Sequence, residues 1–197
     1  MKGRLPASER RAAVVDTACR VFARCSYRGA TTAEIAREAG VTEPILYRHF
    51  DSKQALYFAC IDDAWGRVRR AWEGAVEAED DPRAWLTAMA SAFFEFGEQR
   101  PAVASLWMHA LTESGDEPEM RRFLRRHLRE VHDFVEGVLR RCQEAGAVPA
   151  DRDARAEAWI FIAIGLLVEV TGRLGGLQQG DLERIRASRR TWLTGSA

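Results

Sequence analysis

Apolar residues along this chain recur every three or four positions, and no stretch alternates between apolar and polar residues for long. The first such segment runs from about Ser8 to Ser26, with Val14, Ala18 and Cys25 on one face. Because an α-helix turns once every 3.6 residues, this spacing predicts helices. Similar segments fill the rest of the chain and give about nine helices. The sequence therefore predicts an all-α fold.

Two of the predicted helices, between Thr31 and Phe50, are short and closely follow the first helix. Thr31 and Glu34 have the spacing of a capping box at a helix start, and Gly40 is expected to end that helix. Thr42 is expected to cap the next one. Helices of this length are not stable alone, so we expect them to pack on the first helix. The sequence thus predicts a tri-helical unit that contains a helix-turn-helix.

The second short helix of a helix-turn-helix enters the major groove of DNA. Its predicted solvent side carries hydroxyl and ring N–H groups that reach phosphates, an Arg that pairs with guanine and a Glu that accepts from cytosine. Thr31 and Thr32 begin the preceding helix, where free amides can hold a phosphate, and Lys53 is placed to reach the same backbone. The solvent side comprises Thr42, Glu43, Pro44, Tyr47, Arg48 and His49.

Residues 31–56 resemble the signature of the TetR family. They contain, in order, T-x-x-x-I-A-x-x-A-G-V, then T-x-x-x-L-Y-x-H-F, and then x-S-K-x-x-L. Phe22, Tyr27 and Gly29, which precede these motifs, also fit the family pattern. The resemblance covers roughly residues 8–60. The remaining helices resemble the family only in their number, length and order.

The resemblance implies a transcriptional regulator with an N-terminal tri-helical helix-turn-helix DNA-binding domain, residues 1–53, and a C-terminal helical ligand-binding and dimerisation domain, residues 54–197. It implies a homodimer, formed through the last two helices, on a near-palindromic operator in double-stranded DNA. Pro44 stands where the family often has Gly or Ala, which leaves the fine docking open. The resemblance also implies roles for single residues. The positions that usually contact phosphates in the family are matched here by Thr32, Thr42, Tyr47, His49 and Lys53. The positions that usually face bases are matched by Glu43, Pro44 and Arg48.

The body is rich in aromatic residues, and the resemblance implies a small-molecule cavity among its helices. An apolar cavity suits a lipophilic or aromatic effector of unknown identity. We expect it to release a repressor through a population shift that tilts the long helix of residues 53–76. A DNA-binding regulator without a small-molecule ligand is the alternative, because aromatic residues at helical spacing also form cores. Candidate lining residues are Trp65, Phe96, Trp107, Met108, Phe134 and Trp159, with His109, His127 or Glu169 as polar groups.

The segment Ala158–Val168 is apolar on all sides, which predicts a helix that is buried all round. We expect one face to meet the core and the other a second subunit, and a helix buried within one subunit is the alternative. The segment is too short to span a bilayer, which needs about 20 residues. The N-terminus has no apolar stretch of a signal peptide. We therefore expect a cytoplasmic protein without a membrane partner.

Composition and motifs narrow the function further. The net charge is zero, but residues 1–53 carry ten Lys or Arg and six Asp or Glu. This basic excess fits a polyanionic partner, although ordinary scatter explains it equally well. We find no Gly-rich phosphate loop, G-x-S-x-G or H-E-x-x-H motif, so we do not expect an enzyme or catalytic residues. The four cysteines and four histidines lack zinc-ligand spacing, so we expect reduced thiols, no metal and no cofactor.

Overall fold

The computed structural model describes residues 6–99, 101–113, 117–177 and 180–195, which contain nine helices and no strand. This confirms the all-α prediction. In chain order the helices are α1 (Ala7–Gly29), α2 (Thr32–Glu38), α3 (Glu43–Tyr47), α4 (Lys53–Glu77), α5 (Trp85–Gln99), α6 (Pro101–Glu113), α7 (Pro118–Glu144), α8 (Ala154–Gly172) and α9 (Leu182–Thr194).

By packing, the described residues fall into two compact units. The first unit takes the described residues within 1–69 and 97–125, and the second takes those within 70–96 and 126–197. Packing groups α6 with the N-terminal helices because α6 makes extensive contact with α1. The predicted functional boundary near residue 53 is a different kind of division, and it stays a prediction.

The core of the first unit is built from the apolar faces that the periodicity predicts. Val14 and Phe22 of α1, Ile35 of α2, Leu46 of α3 and Leu56 of α4 are all buried in one cluster. Burying a side chain of this size contributes about 1.5–3 kcal/mol. The short α2 and α3 are therefore stabilised by tertiary packing on α1 and α4, as their length requires.

The second unit has an aromatic cluster centred on Trp72 of α4. The ring centroid of Trp72 lies 5.8 Å from those of Phe134 and Phe161 and 6.3 Å from that of Phe93. These residues come from α4, α5, α7 and α8, so the cluster joins four helices of this unit. Such aromatic pairs add roughly 0.5–1.5 kcal/mol each beyond the area they bury.

A buried carboxylate joins the last two helices. Glu157, near the start of α8, is buried and accepts hydrogen bonds from Arg189 and from the indole Nε1 of Trp192 at 3.0 Å, both on α9. The guanidinium of Arg152 lies 4.1 Å from the centroid of the Trp192 ring. A buried charge is tolerated only with such partners. The Glu157 contacts therefore hold α9 against the beginning of α8.

Of the two caps predicted at the starts of α2 and α3, the structure shows the first and not the second. Thr31 accepts from the amide of Glu34 at 3.1 Å, and Ser52 accepts from the amide of Ala55 at 3.0 Å. Thr42 precedes α3 as predicted, but its side chain makes no capping hydrogen bond. The prediction of a Thr42 side-chain cap is therefore wrong.

Two further observations concern the cysteines and the apolar segments. Cys19, Cys60 and Cys142 are buried, Cys25 is half-buried, and all four are free thiols. Burial raises the pKa of the Cys142 thiol to about 11, which keeps it protonated and unreactive. Within the described ranges, no helix has the length and apolar content that a membrane span requires.

We expect the buried imidazole of His127 on α7 to make stability depend on pH. Burial, with some repulsion from Arg126, lowers the pKa of His127 from 6.5 to about 4. The unfolded chain therefore binds the proton first, so stability is complete above pH 6.5 and falls as pH drops through this window. The loss is roughly 1.4 kcal/mol per pH unit, or about 3 kcal/mol at pH 4. Urea unfolding between pH 7 and pH 4 measures it.

The comparison that isolates this group is His127→Leu against the matched variant His49→Gln. We expect His127→Leu to flatten the fall in stability between pH 6.5 and pH 4, because the group that takes up the proton is gone. His49→Gln should keep the wild-type slope, since His127 is intact. A wild-type slope in His127→Leu would show that other groups cause the pH dependence.

Candidate nucleic-acid interface

The turn between α2 and α3 shapes the surface that carries the predicted DNA contacts between Thr31 and Lys53, which we call the recognition surface. Gly40 has a φ of 67°, a left-handed conformation that glycine adopts without a steric cost. The chain then reverses, and the carbonyl of Thr42 accepts from the amides of Ile45 and Leu46 to begin α3. Leu46 points inward and is fully buried. The opposite side of α3 is thereby directed outward.

The structure leaves each of the predicted DNA-contacting residues at least partly accessible to solvent. The sequence left open whether Tyr47 belongs to the core, and its side chain is 47% exposed. None of the predicted residues is fully buried. The exposed ones are Thr31, Thr42, Pro44, Tyr47 and Arg48, and the half-buried ones are Thr32, Glu43, His49 and Lys53. Their contacts with DNA stay predictions.

Three of these residues form a hydrogen-bonded group across the two short helices. The hydroxyl of Thr32 donates to Oε1 of Glu43 at 2.6 Å. The hydroxyl oxygens of Thr32 and Tyr47 are 3.2 Å apart. Because the Thr32 proton is directed to Glu43, Tyr47 is the donor in that second bond. The group fixes the side chains of α3 relative to the first turn of α2.

Lys53 is also held in place. Its ammonium lies 4.7 Å from the centroid of the Tyr27 ring, a cation–π arrangement. Partial burial lowers the pKa of Lys53, and the nearby carboxylate of Glu113 opposes that shift. The ammonium therefore sits in a defined position at the start of α4.

Arg48 differs from its neighbours. It lies at the end of α3, its residue is exposed, and no ion pair to it is found among the described residues. An arginine presents a planar fork of donors that matches the acceptors of guanine or phosphate. Arg48 directly follows Tyr47 in the chain, and within the described ranges its guanidinium is not held by an ion pair.

Sequence reasoning missed a carboxylate that supports this region. Ser26 interrupts α1 with a φ of 62°, unusual for a residue other than glycine. The backbone amides of Tyr27 and Arg28, just after the interruption, donate to the two carboxylate oxygens of Glu113 at 3.1 and 3.2 Å. Glu113 lies at the end of α6, more than 80 residues away, and no local motif marks it.

The six residues predicted to line a ligand pocket are divided between the two units. Trp65, Trp107 and Met108 belong to the first unit and are half-buried. Phe96 and Phe134 of the second unit are half-buried, and Phe134 packs on Trp72. Trp159 is 44% exposed, which does not favour an internal pocket. A shallow depression on α9, near Arg184 and Ile185, involves none of the six. The lining set therefore stays a prediction.

The suggested polar groups of such a pocket are also placed differently from one another. His127 is buried, whereas His109 is half-buried. Burial raises the pKa of the Glu169 carboxyl on α8, and Arg173 partly offsets that shift. These positions put His127 in the interior and Glu169 in a partly apolar setting.

Comparison with known proteins identifies a DNA-binding family in the part of the chain that contains α2 and α3. The family model described as bacterial regulatory proteins of the tetR family matches residues 14–60. A second model, described as the C-terminal part of BetI-type transcriptional repressors, matches residues 82–192. The first match contains α2 and α3 with their supporting core, and the second covers more than half of the chain.

Several regulators are similar in sequence. The transcriptional activator FasR of Mycolicibacterium smegmatis is 39% identical over 48% of this chain and 43% of its own length. The regulator BetI of Rhizobium meliloti is 32% identical over 58% and 57%. The alignments thus span about half the length of these two relatives. BetI of Agrobacterium fabrum is 30% identical over 81% of this chain and 75% of its own length.

Solved structures share the fold. A TetR-family regulator from Rhodococcus sp. has a TM-score of 0.82 at 21% identity, over 95% of this chain and 99% of that one. FadR of Bacillus subtilis, solved in complex with stearoyl-CoA, has a TM-score of 0.77 at 18% identity, over 94% and 98%. With the two family models matching both parts of the sequence, the chain belongs to the TetR family of bacterial transcriptional regulators.

Proposed function

We propose that this protein is a homodimeric repressor that binds a near-palindromic operator through α3 and is released by a lipophilic small molecule. The observation that carries the proposal is the exposed side of α3, which is held outward by the buried Leu46. In this arrangement the first residues of α3 face base edges and the hydroxyls around Thr32 and Tyr47 face phosphates. Arg48, which directly follows α3, supplies a further base contact.

The dimer is proposed from α8. Ile160, Ala163, Leu167 and Val170 are spaced alternately by three and four residues and are all exposed; we call them the α8 stripe. A stripe with this spacing is the pattern of packed helices. Leu167 is 45% exposed in one chain, which argues against a helix buried within the subunit. A second copy of this chain covers the stripe and gives the two-fold symmetry that a palindromic operator requires.

The effector is proposed from the aromatic content of the body and from one structural relative. FadR of Bacillus subtilis has this fold and was solved with stearoyl-CoA. A long acyl chain suits a site lined by Trp107, Met108 and their neighbours, because such a site is mostly apolar. Effector binding shifts the population away from the form whose two α3 helices match the operator. A coupling of about 1–3 kcal/mol is sufficient in typical systems.

We expect Arg48→Ala to weaken binding to DNA from upstream of the protein's own gene by about 10–100-fold, since a good base contact is worth roughly 1–3 kcal/mol. Fluorescence anisotropy at fixed salt, with a scrambled duplex in parallel, measures the loss. Arg122→Ala on α7 removes the same charge from a side chain that is 71% exposed, and should retain wild-type affinity. Equal losses in the two variants would contradict a base contact by Arg48.

We expect Leu167→Glu to separate the subunits. Two such substitutions bring unpaired carboxylates into the proposed interface, where an uncompensated charge costs roughly 3–5 kcal/mol. The dissociation constant of the dimer should therefore rise at least about 100-fold. Light scattering across a concentration series measures it. Ala150→Glu adds the same charge in the α7–α8 turn and should leave the dimer intact, so a dimeric Leu167→Glu variant would exclude the stripe as the interface.

We expect stearoyl-CoA to lower operator affinity by about 5–150-fold, the range of typical coupling, while CoA alone has no effect. Trp107→Leu should reduce this response and leave the affinity of the ligand-free protein unchanged. The matched variant Trp85→Leu should respond like wild type. If neither acyl-CoA nor a panel of aromatic compounds changes operator affinity, the alternative of a regulator without a small-molecule ligand is supported.

A further inference from the structure

An imidazole lies buried between α7 and α8. His132 is only 3% exposed, and its ring centroid lies 4.4 Å from that of Trp159. Its Nε2 atom is 3.0 Å from the backbone carbonyl oxygen of Arg155. A carbonyl oxygen can only accept a hydrogen bond, so Nε2 carries a proton. In the neutral ring, the lone pair is then on Nδ1.

Two carboxylates face that lone pair. Nδ1 of His132 lies 3.2 Å from Oδ1 of Asp133 and 3.8 Å from Oε2 of Glu136. Three atoms that can donate electron pairs thus converge on one point, and all lie within 4.8 Å of one another. Such atoms repel one another unless a positive charge lies among them. A metal ion bound at this point would supply that charge.

The two distances from Nδ1 of His132 fit a metal ion. Zinc lies about 2.0–2.2 Å from nitrogen and oxygen ligands, so two ligands at a tetrahedral angle are about 3.4 Å apart. The two separations from Nδ1 of His132 bracket this value. All three ligands come from about one turn of α7, because His132, Asp133 and Glu136 are close in sequence. No ligand from another helix is needed to bring them together.

The surroundings orient these ligands in the way that metal sites require. The other oxygen of Glu136, Oε1, accepts from Nε of Arg140 at 3.1 Å and from Nη2 at 2.5 Å, which directs Oε2 to His132. The carbonyl of Arg155 fixes the tautomer of His132. Partners of this kind raise ligand basicity and hold the geometry. The side chain of Asp133 is 66% exposed, so an ion and a coordinating water can reach the site from solvent.

We propose that His132, Asp133 and Glu136 bind one divalent transition-metal ion per chain. One imidazole with two carboxylates suits Zn²⁺ better than Mg²⁺ or Ca²⁺, which prefer all-oxygen ligands. The site does not involve α3. A negative result for metal binding would therefore leave the proposed repressor function untouched, and the reverse also holds.

The test is calorimetric titration of the full-length, metal-free protein with Zn²⁺. We expect one ion per chain in the wild type. Loss of an outer-shell partner typically weakens metal affinity by about 10–100-fold, so loss of a ligand should weaken it at least tenfold. Asp133→Asn and Glu136→Gln should each show this loss. Glu130→Gln changes an exposed carboxylate on the same helix that pairs with Arg126, and should bind Zn²⁺ like wild type.

Circular dichroism of each variant checks that the helices are retained. Co²⁺ in place of Zn²⁺ identifies the ligands, because nitrogen and oxygen ligation lacks the thiolate charge-transfer absorption that a cysteine site shows. Three results would overturn the proposal. The first is no zinc binding by the wild type, and the second is unchanged zinc binding in Asp133→Asn and Glu136→Gln. The third is thiolate absorption when Co²⁺ is bound.

Discussion

The burial of Leu46 is the interaction on which the recognition surface depends. α3 has only five residues and no side-chain cap from Thr42, so it has little stability of its own. Leu46 is its fully buried side chain, packed in the cluster that includes Ile35 and Phe22. Successive residues of a helix point about 100° apart. Fixing Leu46 inward therefore turns Pro44, two positions earlier, toward solvent and leaves the neighbouring Tyr47 partly exposed, so the orientation of α3 follows from a hydrophobic contact.

The groups around α3 divide into those with partners and those without. Thr32, Glu43 and Tyr47 bond to one another, so they are already ordered before any DNA is bound. Exchanging such hydrogen bonds costs little, because each contributes only about 0.5–1.5 kcal/mol net. Ordering them in advance also reduces the entropy lost on binding. The described residues show no ion pair to Arg48, which is why a base contact is proposed for it.

Local patterns predicted most of the fold, and contacts between distant residues account for what they missed. Apolar periodicity located the helices, and the motif around Thr31 and Gly40 located the turn. The carboxylate of Glu113 was missed because it stabilises amides more than 80 residues away. The Thr42 cap was predicted from residue type, but capping depends on a side-chain rotamer that sequence does not determine. The cluster at His132 was missed because it joins one histidine to neighbouring carboxylates, whereas the predicted absence of a metal rested on the spacing of histidines and cysteines alone.

The helix α8 shows why a pattern can be correct and its simplest interpretation wrong. Its apolar character on all sides predicts burial, yet one chain buries only the side that includes Ala158 and leaves Leu167 exposed. The remaining apolar area has to be covered by another molecule if it is to leave water. Trp159, adjacent to the α8 stripe, packs against His132 with the two rings tilted. Trp159 therefore lies between the cluster at His132 and the exposed face of α8.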